Sequence, residues 1–119
     1  MQSIIKSKNL SEKYINERCF ISEIINTAEF ESFSLSKARV LPGVTTELHA
    51  VKNTTEVYYI LSGRGEMETD GNVVGMVGPG DVVFIPKEMA QRIKNIGAED
   101  LIFLCICSPR FMETNYVSV

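Results

Sequence analysis

The feature that most limits what this chain can fold into is its punctuation. From Phe20 onward, short runs rich in Val, Ile, Tyr, Phe and Thr are closed at regular intervals by tight-turn residues. These are Leu41-Pro42-Gly43, Leu61-Ser62-Gly63-Arg64-Gly65, Asp70-Gly71, Gly78-Pro79-Gly80-Asp81, Ile85-Pro86-Lys87-Glu88 and Asn95-Ile96-Gly97-Ala98-Glu99-Asp100. β-branched and aromatic side chains suit a pleated, half-buried backbone, whereas Gly, Pro, Asn and Asp supply the dihedral angles of turns. Asp70-Gly71 predicts a two-residue hairpin, because both residues tolerate positive φ. Strands this short, with no helical period between them, predict an antiparallel sandwich or barrel. The first thirty residues are the least regular. Asn9-Leu10-Ser11-Glu12 has the spacing of a capping box and predicts a short helix over residues 10–17.

A length of 119 residues is that of one domain, residues 1–119, built on one core. The formal net charge of -3, with Lys and Arg scattered among acids, offers no basic field for nucleic acid or an anionic membrane. Met1-Gln2-Ser3-Ile4-Ile5-Lys6 lacks the apolar core of a signal peptide, and no apolar stretch is long enough to span a bilayer, so a cytoplasmic location is the expectation. The three cysteines, Cys19, Cys105 and Cys107, are an odd number without a secretion signal, which argues against a disulfide framework. Cys105 and Cys107 fall in the apolar run Leu101-Ile102-Phe103-Leu104-Cys105-Ile106-Cys107, which reads as a buried strand. A Cys-x-Cys pair can bind a soft metal; the plainer reading is two small core residues.

Gly43, His49, Glu56 and Gly63 follow one another at a particular spacing, and so do Gly80, Pro86, Gln91 and Asn95. This order resembles the two motifs of the cupin superfamily, motif 1 over about residues 43–63 and motif 2 over about 80–95, and the resemblance runs over about residues 34–110. It implies an all-β, antiparallel jelly-roll barrel, here with an irregular or short-helical N-terminal segment. Cupins typically bind a divalent metal through three His and one Glu. This chain keeps His49 and Glu56, has Val51 where the second motif His stands, and Gln91 where the third does. Cys107-Ser108-Pro109-Arg110-Phe111 looks like the close of small cupins labelled mannose-6-phosphate-isomerase-like, a label that rests on fold rather than on substrate.

Side chains alternate across a strand, so Glu47, His49 and Val51 would share one face, Glu56, Tyr58 and Ile60 another, and Met89, Gln91, Ile93 and Asn95 a third. If these faces line the barrel, a few polar groups converge in an apolar pocket, as in a small-ligand site. His49, Glu56, Gln91 and Glu47 are the candidate metal ligands. One imidazole with oxygen donors suits a hard or borderline divalent ion such as zinc, manganese, nickel or iron. Glu47, Glu56 and Tyr58 are the candidates for moving a proton. The reaction expected is isomerisation, cyclisation, dehydration or decarboxylation of a small oxygenated metabolite. The alternatives are a cupin dioxygenase, which the missing imidazoles disfavour, and a non-catalytic binding module. A homodimer is expected, with the N-terminal segment as a candidate to extend the partner's sheet.

Overall fold

The computed structural model describes residues 3–119, and within them the side chain of every residue but Asn9, so the capping role read for Asn9 lies outside the described part. The strands are β1 Lys13–Ile15, β2 Cys19–Thr27, β3 Phe30–Val40, β4 His49–Val51, β5 Thr55–Ser62, β6 Gly65–Thr69, β7 Asn72–Val77, β8 Val82–Ile85, β9 Gln91–Asn95, β10 Leu101–Ser108 and β11 Tyr116–Ser118. They form two antiparallel sheets. One has six strands in the order β1-β2-β3-β10-β5-β8, and the other five, in the order β11-β4-β9-β6-β7. From β3 onward the chain crosses between the sheets at every connection except the β6–β7 hairpin, and the polar ends of β5 and β9 face each other across the interior.

The turn chemistry read from the sequence is the turn chemistry observed. Thr69 pairs with Asn72, leaving Asp70 and Gly71 as a two-residue loop with φ of 48° and 83°, the mirror-image turn whose twist matches that of paired strands. Inward positions alternate as expected along β5 (Glu56, Tyr58, Ile60) and β9 (Gln91, Ile93, Asn95), all buried. The apolar members join Val40, Met67, Ile85, Leu101 and Phe103 in one core. Asn95 holds that end of the barrel closed: its amide nitrogen donates to the carbonyls of Val40 (2.9 Å) and Glu99 (2.8 Å), and its oxygen accepts from Gly97 N–H (2.9 Å).

The expected helix over residues 10–17 does not form. A 3-10 turn at Ser7–Asn9 is followed by β1, which pairs with β2 in the register Lys13↔Ile21 and Ile15↔Cys19. Tertiary pairing overrides the local signal. Glu12 is drawn to Arg39, with Oε1 2.8 Å from Nη2, and Tyr14 packs edge-on against Phe20 at 5.0 Å between centroids. β1 thus forms the edge of the six-stranded sheet beside β2.

Gly63, at the bend between β5 and β6, has φ of +88°, and a Cβ there would lie 2.6 Å from the carbonyl oxygen of Asp100. Backbone, not a yielding side chain, is the obstacle. Gly71 has a similar φ of +83° but nothing within 4 Å of a Cβ. Gly63→Ala should therefore destabilise by about 2–4 kcal/mol, combining left-handed backbone with a clash. Gly71→Ala should cost only about 1–2 kcal/mol for the conformation alone. Urea denaturation midpoints of the two variants measure the difference.

Candidate functional site

The polar residues gather at one end of the barrel around the side chain of Gln91. That side chain is wholly buried. Its Oε1 accepts from Tyr58 OH at 2.6 Å, while its Nε2 donates to Glu56 Oε1 at 2.5 Å and faces His49 Nε2 at 3.1 Å. The four residues come from three strands in both sheets: Glu56 and Tyr58 from β5, Gln91 from β9 and His49 from β4, where His49 pairs directly with Gln91. Burial and the neighbouring Glu56 carboxylate push the Tyr58 hydroxyl well above the usual phenol range, so it acts as a fixed donor.

The tautomer of His49 follows from its bonds. Its Nδ1 lies 2.9 Å from the carbonyl oxygen of Glu47, which can only accept, so Nδ1 carries the hydrogen. This is the arrangement that aims the Nε2 lone pair at a metal in a histidine site. The ring is held flat by Tyr116 from β11, stacked at 4.8 Å between centroids and 15° between planes.

A second carboxylate reaches His49 that the alternation argument did not find. Glu17 Oε1 lies 3.2 Å from His49 Nε2. Glu17 sits in the three-residue loop joining β1 and β2, where Arg18 has φ of 66°. That loop is fastened to the opposite sheet: Arg18 Nε donates to the Thr45 carbonyl at 2.9 Å, and Glu47 N–H donates to the Glu17 carbonyl at 3.0 Å. The polar triplet Asn16-Glu17-Arg18 between two apolar strand ends is the turn signal that could have located it. Burial first, then the nearby Glu56 charge, raises the Glu17 carboxyl above the usual range, against the pull of His49.

Glu47, expected beside His49, is not brought into this group. Residues 45–51 are not one continuous strand: Thr45 forms an isolated bridge to Lys94, and regular pairing begins only at His49. The period-two alternation that put Glu47 and His49 on one face is broken there. The Glu47 carboxylate instead accepts from Tyr116 OH (2.8 Å) and Ser118 Oγ (2.5 Å), and these two bonds lower its pKa.

Glu56 spans the site. Its Oε1 takes the Gln91 bond, and its Oε2 faces Cys105 Sγ at 3.1 Å and Cys107 Sγ at 3.7 Å. These residues border a cavity of about 840 Å³, open to solvent, which Ser34, Ser36, Arg110 and Phe111 also line. Among the described residues no Lys or Arg bonds either Glu17 or Glu56. His49 Nε2, with one lone pair, has two polar neighbours at 3.1 and 3.2 Å. Such separations are those between neighbouring ligands around an ion with bonds of about 2.0–2.2 Å. One imidazole with the buried Glu56 and half-buried Glu17 carboxyls, neither bonded by Lys or Arg among the described residues, fits a divalent ion of hard or borderline character.

The family model for the cupin domain matches residues 36–107. The chain is 31% identical over 106 residues to the oxalate decarboxylase OxdC of Bacillus subtilis, covering 86% of this chain and 26% of that protein. It is 43% identical over 63 residues to the glucose-6-phosphate isomerase of Pyrococcus furiosus, covering 49% of this chain and 33% of that one. It spans only about a quarter to a third of the length of these two proteins. A predicted oxalate decarboxylase of Thermotoga maritima, solved as a crystal structure, superposes with a TM-score of 0.80 at 23% identity, over 89% of this chain and 98% of that one. Two antiparallel sheets in this strand order, a polar cluster at the motif positions and a family match over most of the barrel establish that the chain belongs to the cupin family.

Proposed function

We propose that this cupin is a metal-supported enzyme of the isomerase or lyase type, acting on a small oxygenated metabolite held in the barrel. The observation that carries the reading is the convergence of His49, Glu56 and Glu17 on one end of an open cavity, with Gln91 buried against His49 and Glu56 and, among the described residues, no Lys or Arg bonded to the carboxyls. His49 and Glu56 would hold the ion; Gln91, expected as a ligand, turns its amide nitrogen rather than its oxygen toward them and so positions both, and Glu17 stands beside them on the cavity side. The ion, when bound, supplies Lewis acidity to a substrate carbonyl or hydroxyl.

The chain's own groups divide the remaining work. The Glu47 carbonyl fixes the His49 tautomer. Tyr58 fixes the Gln91 amide. Glu17 takes the proton from the substrate and returns it at the neighbouring atom. This gives Glu47 and Tyr58 supporting parts and moves the proton-carrying part to Glu17. Arg110, whose Nη1 is held by Asn26 Oδ1 at 2.9 Å, is a cation on the cavity wall and suits a substrate carboxylate or phosphate. The relatives named above, a decarboxylase and a sugar-phosphate isomerase, act on substrates of that oxygenated, anionic kind.

The test begins with metal analysis and Mn²⁺ titration of the purified protein, followed by a turnover screen of small keto acids, hydroxy acids and sugar phosphates. One divalent ion per chain is expected. His49→Ala and Glu56→Ala should each abolish its binding, and Gln91→Ala should weaken it about 10–100-fold. Glu17→Gln should keep the ion but lower kcat about 10²–10⁴-fold, the usual worth of a general acid–base group. Rates should be equal with and without oxygen. Stoichiometric oxygen uptake would replace this reading with a dioxygenase, and ligand binding without turnover would replace it with a binding module.

The working unit we propose is a homodimer joined through the outer face of the six-stranded sheet. Val82 and Phe84 on the edge strand β8 are 61% and 63% exposed, and Tyr59 and Leu61 on β5 are exposed beside them. Cross-strand registers Val82↔Tyr59↔Leu104 and Phe84↔Val57↔Ile106 make these one continuous apolar surface. The same apolar patch on a second copy, related by a two-fold axis, would cover it. Light scattering should give a dimer mass at micromolar concentration, and Phe84→Glu should give a monomer with an unchanged fold. A monomeric wild type would remove the proposal.

A further inference from the structure

The two thiols beside Glu56 form a second group, which shares the Glu56 side chain with the His49 cluster but faces its other carboxylate oxygen. Cys105 and Cys107 lie two residues apart on β10 and face inward together, with Cys107 paired to Glu56 and Cys105 to Tyr58 on β5. The three possible ligand atoms make a triangle: Cys105 Sγ to Glu56 Oε2 3.1 Å, Cys107 Sγ to Glu56 Oε2 3.7 Å, and Sγ to Sγ 3.9 Å. A tetrahedral ion with metal–sulfur bonds of about 2.3 Å separates two thiolates by about 3.8 Å. The triangle is thus already close to one face of such a coordination sphere, before any side chain moves.

Two further observations separate this trio from ordinary core packing. Glu56 Oε2 is a buried carboxylate oxygen whose only partners among the described residues are thiols, the weakest donors in the protein. A buried charge so poorly compensated is costly. In addition, Cys105 and Cys107 both border the open cavity, so an ion can reach them and a fourth ligand can come from solvent.

The geometry points to a soft-metal site formed by Cys105, Cys107 and Glu56 Oε2, taking a thiophilic divalent ion such as zinc, cadmium or cobalt, with the fourth position open to the cavity. Binding replaces two S–H bonds by two metal–sulfur bonds and releases both protons to solvent. The site needs no contribution from His49. The chain would then sort ions by softness: thiolate donors take the thiophilic ion, while the imidazole and oxygen donors around Gln91 take a harder one.

Reduced, full-length protein is titrated with Co²⁺ and Cd²⁺ under anaerobic conditions, reading the thiolate-to-metal charge-transfer absorption. One equivalent is expected to develop the band, and X-ray absorption of the Co²⁺ form is expected to show two sulfur ligands. Cys105→Ser and Cys107→Ser should each weaken binding at least about tenfold, and the double variant should lose the band. His49→Ala should keep it, and the Cys variants should still bind Mn²⁺ at the His49 cluster, so this site and the one proposed above stand or fall separately. Circular dichroism checks that each variant is folded. A wild-type protein that develops no charge-transfer band overturns the proposal without any variant. A band that survives the double variant overturns it too, by assigning the thiolate to Cys19.

Discussion

The side-chain amide of Gln91 is the interaction on which the interior of this barrel depends. It is wholly buried, reaches Tyr58 and Glu56 across the gap between the two sheets, and faces His49 on the neighbouring strand of its own sheet. An amide has an acceptor end and a donor end, and here each end is used: the oxygen by a phenol, the two hydrogens by a carboxylate and an imidazole. A network of this kind is strong when every member is satisfied and costly when one is missing. Among the described residues, no buried side-chain nitrogen or oxygen lacks a partner. The amide therefore fixes the spacing of strands β4, β5 and β9 at the polar end of the barrel, while Ile60, Met67, Ile93 and Leu101 fill the other end with apolar contacts.

Replacing an imidazole by an amide at this position changes the character of the site. An imidazole presents one lone pair to a cation. A glutamine presents either an oxygen or a pair of hydrogens, and here the hydrogens face Glu56 and His49. The excess of acid is then left to two carboxyls, Glu17 and Glu56, that no Lys or Arg bonds among the described residues. Glu17 answers this by rising in pKa, because burial disfavours its charged form and the Glu56 charge adds to the effect. Electrostatic demand for a cation and the aim of the His49 lone pair come from the same few contacts.

Much of this was legible in the residues. Turn chemistry located the strand ends, and the pleat put Glu56, Tyr58 and Gln91 inward, because β5 and β9 are regular strands over those positions. The reading failed where the backbone was irregular. An unbroken strand over residues 45–51 would put Glu47 inside, but regular pairing begins only at His49 and the carboxylate turns to Tyr116 and Ser118. The helix over 10–17 was read from a local cap spacing that lost to pairing with β2 and to the Arg39 guanidinium held between Glu12 and Asp100.

The sequence by itself determined what is periodic or local: the all-β class, the Asp70-Gly71 hairpin, and the inward faces of the regular strands. These follow from side-chain alternation and from dihedral preferences, which act over a few residues. Only the tertiary structure decided which distant groups meet. Glu17 reaches His49 because Arg18 is tied to Thr45 and the Glu17 carbonyl to Glu47, contacts across about thirty residues of chain. Cys105 and Cys107 reach Glu56 because β10 lies beside β5, a pairing between segments some fifty residues apart. No local propensity encodes such meetings; they are set by sheet order and strand register, which the whole core selects at once.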